Sequence, residues 1–158
     1  MATTLEAGQP APDITAKTDT GETVSLKDFA GKRVVLYFYP KDDTPGCTIE
    51  ACDFRDNLAN LEGEDAVVLG ISLDDVESHQ QFRDKFDLTF PLLADTDHSV
   101  SDAYGVYGQK EFRGHEYLGI DRATFIIGKD GKLEKVWPQV DPNGHGEEVL
   151  AWLRENKS

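Results

Sequence analysis

The apolar positions fall into short, distinct blocks separated by turn residues. Val34-Val35-Leu36-Tyr37-Phe38-Tyr39 is continuous and apolar, the signature of a strand buried on both faces. Pro40 ends it. Ala66 to Leu73 is a second strand of the same kind, and Pro91 to Ala94 a shorter one. Residues 13–26 read as a hairpin turning at Thr20-Gly21, followed by a turn around Lys27 to Gly31. Thr124–Ile127 and Lys132–Trp137 flank Gly128-Lys129-Asp130-Gly131 and predict a second hairpin. Helical spacing predicts helices from Thr44 onward, over 75–86, over Ser99 to Tyr104 and over 146–157.

Strands that alternate with helices imply a parallel sheet covered by helices on both faces, and the late hairpin adds antiparallel strands at one side. The fold expected is therefore α/β, a central mixed sheet in three layers, an arrangement that resembles the thioredoxin-like fold. The 158 residues suffice for a single domain, 1–158, with one buried core. The helix that starts at Thr44 begins at the carboxyl end of a central strand, where open α/β sheets place their sites.

Composition narrows the function classes. An apolar fraction of 39% against 29% charged suits a globular protein, and no apolar run reaches the length of a membrane span. Met1 to Pro10 lack the basic head and apolar stretch of a secretory signal, so the expected location is the cytoplasm. The net charge of −14 argues against nucleic acid as a partner. In the reducing cytoplasm a close cysteine pair points to catalysis rather than to a structural bridge.

That pair is Cys47 and Cys52, the only two cysteines in the chain. Thr44 is a good N-cap and Pro45 suits the first helical position, where its missing N–H costs nothing. Cys47 then falls at the third position, beside unpaired backbone N–H groups and the positive end of the helix dipole. Both effects favour the thiolate over the thiol. Ala51, Phe54, Leu58 and Leu61 follow Cys47 on one stripe, so Cys47 heads an apolar face and is expected to be screened from water. Cys52 lies about 140° around the helix and is expected to be the more exposed thiol. Asp42 and Asp43, close before the site, oppose the thiolate slightly. A Cys-x-x-Cys exchange site and a four-ligand zinc site fit less well, because four residues separate the cysteines and His79, His98, His115 and His145 are scattered.

Pro40-Lys41-Asp42-Asp43-Thr44-Pro45-Gly46-Cys47 matches P-x-x-x-T-x-x-C, and the continuation reads C-T-x-E-A-C. This stretch resembles the active-site motif of the peroxiredoxin family, in its bacterioferritin comigratory protein or peroxiredoxin Q subfamily. Val68 to Ser72, Phe90 to Asp95, Tyr104 to Val106 and Arg122 to Ile127 agree with it, so the resemblance covers almost the whole chain. It implies a thiol peroxidase acting on hydrogen peroxide and organic hydroperoxides without cofactor or metal. Cys47 would be the nucleophile that becomes sulfenic acid. Thr44 would turn its hydroxyl toward substrate and thiolate, Pro40 would shield the sulfur, and Arg122 would support the negative charge. Glu50 would organise nearby polar groups. Cys52, whose spacing already suggests a resolving thiol, matches the resolving cysteine, and the intrachain disulfide would be recycled by thioredoxin. Such a disulfide needs no second subunit, so a monomer is expected. Two other readings stand beside it: a protein thiol–disulfide oxidoreductase, and a non-enzymatic redox sensor or chaperone-like module.

Helix geometry adds one expectation. Cα atoms five residues apart in an α-helix are separated by about 8–9 Å, beyond the ~7 Å reach of a disulfide. The bond therefore requires the first turns to unwind, which Pro45 and Gly46 should ease.

Overall fold

The structure is a computed structural model and describes residues 3–156. The early hairpin consists of β1 (Thr15–Thr18) and β2 (Thr23–Ser25), paired from Thr15↔Ser25 to Lys17↔Thr23. A 3₁₀ turn, Leu26–Phe29, leads into β3 (Arg33–Phe38). Then come α1 (Pro45–Asp56), α2 (Leu58–Gly63), β4 (Ala66–Ser72), α3 (Val76–Phe86), β5 (Leu92–Ala94) and α4 (Ser99–Ala103). The chain continues through β6 (Tyr107–Phe112), β7 (His115–Ile120), β8 (Ala123–Ile127) and β9 (Leu133–Trp137) to α5 (His145–Glu155). Lys157, the last residue of the predicted closing helix, lies outside the described residues.

Seven strands form one mixed sheet in the order β2-β1-β5-β4-β3-β8-β9. β3, β4 and β5 run parallel, and antiparallel strands flank them on both sides. Because side chains alternate along a strand, β3 feeds two cores at once. Val35 and Tyr37, with Tyr39 just beyond, face Phe54 of α1, Phe82 of α3 and Val149 and Leu153 of α5. Val34, Leu36 and Phe38 face Val100 of α4, Tyr104 and Phe125. The sheet is thus covered by helices on both faces, with α4 the lone α-helix on the second. This is the expected α/β, thioredoxin-like architecture.

The structure departs from the sequence reading in two places. The helix from Thr44 does not run unbroken to Leu61. It is interrupted at Asn57, whose side-chain amide donates to the Asp53 carbonyl at 2.9 Å and to Asp53 Oδ1 at 3.1 Å. An asparagine that bonds the backbone of its own helix competes with the regular ladder. The apolar stripe survives the break, with Ala51, Phe54 and Leu61 all buried. The second departure is the two-stranded ribbon of β6 and β7, absent from the sequence reading. Its described side chains are largely exposed, so no alternation of buried and exposed positions marks them as strands. Arg113 and Gly114 both adopt positive φ, at 52° and 81°, the tight turn that hairpin twist requires.

Phe54 is the anchor of α1. It is fully buried, stacks on Tyr37 at 4.6 Å between ring centroids and meets His145 edge-on at 5.7 Å. Truncation would leave a void among rigid aromatic neighbours. Phe54→Ala is expected to lower the unfolding free energy by about 3–5 kcal/mol, read as a shift of the denaturant midpoint at unchanged slope.

Candidate active site

The sheet topology brings the site together. β3 and β8 are antiparallel, and Phe38, the last residue of β3, pairs with Ala123, the first of β8. Arg122, immediately before Ala123, therefore arrives where β3 ends and α1 begins. The backbone there is pinned, because Val140 N–H donates to the Arg122 carbonyl at 3.0 Å. The guanidinium then passes over the first turn of α1. A Cβ on Gly46 would lie 3.1 Å from Arg122 Nη2, so only glycine leaves the cation this approach without displacement.

Arg122 joins the other two groups. Nη2 donates to Cys47 Sγ at 3.3 Å and Nη1 donates to Glu50 Oε1 at 2.7 Å. Cys47 and Glu50 sit three residues apart on one face of α1, the spacing that lets two side chains meet one partner. Both are buried, whereas the Arg122 side chain keeps 16% exposure. Burial works against the Arg122 charge, but the facing Glu50 and Cys47 more than offset it and hold its pKa above the ordinary value. Burial pushes the Glu50 carboxyl up to about 7 against the opposing pull of Arg122, and its Oε2 has no hydrogen-bond partner in the protein. Tyr37 lies beneath, its hydroxyl likewise buried and unpartnered and its pKa raised well above the ordinary value, by burial first and then by Glu50 and Cys47.

The remaining predicted residues are placed differently. Thr44 occupies the N-cap position with extended backbone, but its hydroxyl does not cap the helix; it donates to the Lys41 carbonyl at 2.9 Å. With its proton so committed, Thr44 Oγ1 can only accept a further hydrogen bond. Pro40 is exposed at the end of β3. Cys52 is half-buried, away from the Cys47 face, and both cysteines are free thiols on the unbroken helix α1. The two carboxylates expected to oppose the thiolate are each engaged elsewhere. Asp43 pairs with Lys85 at 2.8 Å, and Asp42 turns inward to Tyr39, Ser78 and His79.

His79 and Tyr39 were not singled out by the sequence reading. The signal for His79 was nonetheless present: it shares the apolar face of α3 with Phe82 and Phe86, at +3 and +7.

The structure thus places a buried sulfur at a helix start, beside a cation aligned by a carboxylate, on a thioredoxin-like scaffold. The AhpC/TSA family model matches residues 7–136, and the chain belongs to that family. Among its relatives, Peroxiredoxin Bcp of Bacillus subtilis is 49% identical over 152 residues, covering 96% of this chain and 97% of the relative. The Escherichia coli protein of the same name is 46% identical over the same shares of both chains. The structure of the Xanthomonas campestris bacterioferritin comigratory protein, studied for alkyl peroxide reduction, superposes with a TM-score of 0.89 at 35% identity, covering 97% of this chain and all of that one. The chain is a peroxiredoxin of this group.

Glu50 supplies a prediction for pH. Its folded pKa, about 7, lies above the value of 4.5 for a free carboxyl. Between those values the folded state holds a proton that the unfolded chain has released, so stability is lost as pH rises through that window. The stability of wild type relative to Glu50→Gln should fall between pH 4.5 and pH 7.5, by on the order of 3 kcal/mol. Parallel denaturation series at both pH values check this; a difference independent of pH would contradict it.

Proposed function

We propose that this peroxiredoxin reduces hydrogen peroxide and organic hydroperoxides with Cys47 as nucleophile, Cys52 as resolving thiol and a dithiol protein such as thioredoxin as reductant. The observation that carries the reading is the contact of Arg122 with the buried Cys47 sulfur while Glu50 fixes the same guanidinium from the other side.

In the first step the Cys47 thiolate attacks one peroxide oxygen. The S–O bond forms, the O–O bond breaks and the departing oxygen takes up a proton as water or alcohol. Negative charge develops on that oxygen, and a fixed cation in a water-poor pocket stabilises it better than mobile water can. Arg122 is suited to this because its orientation is already set by Glu50 and by Gly46. Thr44, with only acceptor capacity left, suits the O–H of an incoming peroxide. Thiolate character alone is not enough, since nucleophilicity falls with thiol pKa, so the rate must come from positioning.

In the second step the Cys52 thiolate attacks the Cys47 sulfenic sulfur, the S–S bond forms and hydroxide leaves as water. A reduced dithiol then regenerates both thiols. All electrons come from sulfur, so the cycle needs neither metal nor cofactor. An intrachain disulfide calls for no second subunit, and we infer a monomer acting in the cytoplasm, with residues 1–158 forming one domain. Among the described residues no helix is long and apolar enough to cross a membrane.

Steady-state peroxide consumption with a thioredoxin system tests the assignment. Cys47→Ser is expected to lose all but trace turnover; substantial activity would remove Cys47 as nucleophile. Cys52→Ser is expected to consume about one peroxide per chain and then stall; unimpaired cycling would remove Cys52 as resolver.

The geometry of α1 predicts motion. The Thr48 N–H donates to the Thr44 carbonyl at 2.8 Å, so the first turn is closed while the thiols are free. In a regular helix Cα atoms at this spacing stand about 8–9 Å apart, too far for a disulfide. Oxidation should therefore unwind the amino-terminal turns of α1 and raise hydrogen exchange of amides 46–52. Equal protection in the reduced and disulfide forms would refute the unwinding.

A further inference from the structure

Behind the loop that carries Pro40 and Thr44 lies a buried polar cluster outside the reacting groups. Asp42 is its centre. Its Oδ1 accepts from the Tyr39 hydroxyl at 2.6 Å, and its Oδ2 accepts from the Ser78 hydroxyl at 2.8 Å. The same Oδ2 lies 2.7 Å from His79 Nδ1. The Asp42 backbone N–H donates to Asp74 Oδ2 at 2.8 Å, which ties the loop after β3 to the loop after β4.

His79 is fully buried, and its two ring nitrogens face different acceptors. Nε2 stands 2.8 Å from the Leu93 carbonyl, which has no proton to give, so Nε2 carries one. Nδ1 faces the Asp42 carboxylate. A neutral ring has only one N–H, so donating to both partners requires the imidazolium. We propose that His79 is a positioning residue: as a buried imidazolium it clamps Asp42, and through Asp42 fixes the Pro40–Thr44 loop in the arrangement that serves Cys47. The proposal rests on the assignment of Cys47 as the reacting thiol.

Electrostatics around the ring agree. Burial opposes its charge, but hydrogen bonding and attraction from Asp42, the Leu93 carbonyl and the Asp74 charge outweigh that, and the pKa is raised. Tyr39, just after β3, is the other titratable group facing the ring, with its hydroxyl 3.4 Å from Nδ1. Burial and Asp42 raise its pKa well above the ordinary value, so it stays neutral. A buried charge pair is costly to break from one side, because the remaining partner is left uncompensated. Loss of either member should therefore displace the loop rather than merely loosen it. The sign of the pH effect follows: the clamp holds below the folded pKa of His79 and is released as pH rises through it.

Two measurements test the clamp. Nitrogen-15 NMR of the reduced wild-type protein should show both ring nitrogens of His79 protonated at pH 7.5, where a free imidazole has mostly lost one proton. Stopped-flow oxidation by stoichiometric hydrogen peroxide should be slowed about 10- to 100-fold in His79→Asn and in Asp42→Asn, and no further in the double variant, since one misplaced loop accounts for both. In the wild type this rate should decline at the pH where the Nδ1 proton leaves. A single ring N–H at pH 7.5, a folded His79→Asn variant oxidised within about two-fold of wild type, or a rate that holds or rises across the His79 titration would each overturn the proposal. If His79→Asn does not fold, the wild-type spectrum and titration still decide. The two readings fail separately: an inactive Cys47→Ser with an unaffected His79→Asn removes only the clamp, whereas an active Cys47→Ser removes the assignment beneath it.

Discussion

The site depends on one guanidinium. Arg122 hydrogen-bonds both Cys47 and Glu50, and it comes from the start of a strand far away in sequence. Its position follows from the β3–β8 pairing register, which sets Ala123 opposite Phe38. A shift of one residue in that register would turn every β8 side chain to the other face of the sheet. The register is specified by burial, because all five residues of β8 are buried between the two cores. Core packing thus fixes the location of a charge to within hydrogen-bond distance of a sulfur, with no dedicated binding loop.

The cost of this arrangement is carried by Glu50. A fully buried carboxylate with one unpartnered oxygen would not be retained for stability alone. It faces Arg122 with good geometry, and that contact holds the guanidinium plane while the opposite nitrogen reaches Cys47. The upward pressure on the Glu50 pKa and the raised Arg122 pKa express the same compromise: burial away from water works against both charges, and each partner favours the charge of the other. The unpartnered Tyr37 hydroxyl lies in this low-dielectric region too, so the sulfur environment is polar by a few fixed groups rather than by solvent.

What could be read from the chain follows from how local each feature is. β3 and β4 were legible because long β-branched and aromatic runs have few alternatives, and α1 because Thr44-Pro45 marks its start. The end of α1 was not, since the break rests on the Asn57 amide finding Asp53, a side-chain choice that periodicity does not record. The β6–β7 ribbon was missed because, apart from Ile120 and Tyr107 at its base, its described side chains are largely exposed and its strands pair with each other. Cys47 and Cys52 stood out through their position relative to a helix cap. Arg122 carries no local signal at all and was reached only through family resemblance. Thr44 was read as a cap from its type; in the structure its hydroxyl donates to the Lys41 carbonyl instead. Asp42 and Asp43 looked like a charge problem for the thiolate, but both turn to partners on α3, His79 and Lys85.

These partners divide the neighbourhood of Cys47 into a part that holds and a part that can move. Below the cysteine, Ala51 and Phe54 are locked into the aromatic core, and Gly146 of α5 presses on Asp53, where a Cβ would come within 3.0 Å of its backbone. Before the cysteine, the Pro40–Thr44 loop is tied to β4 and α3 through Asp42 and Asp74. Between these anchors lie only Pro45, Gly46 and the first turn of α1, with a proline that contributes no hydrogen bond and a glycine with wide backbone freedom. In the proposed cycle, converting Cys47 to sulfenic acid would change the partner that Arg122 Nη2 meets, and the contact across the first turn would weaken when Cys47 has to reach Cys52. On the proposed cycle, the Arg122–Cys47 contact that would prepare the sulfur is also the one whose loss would release it, while both anchors keep the rest of the fold in place.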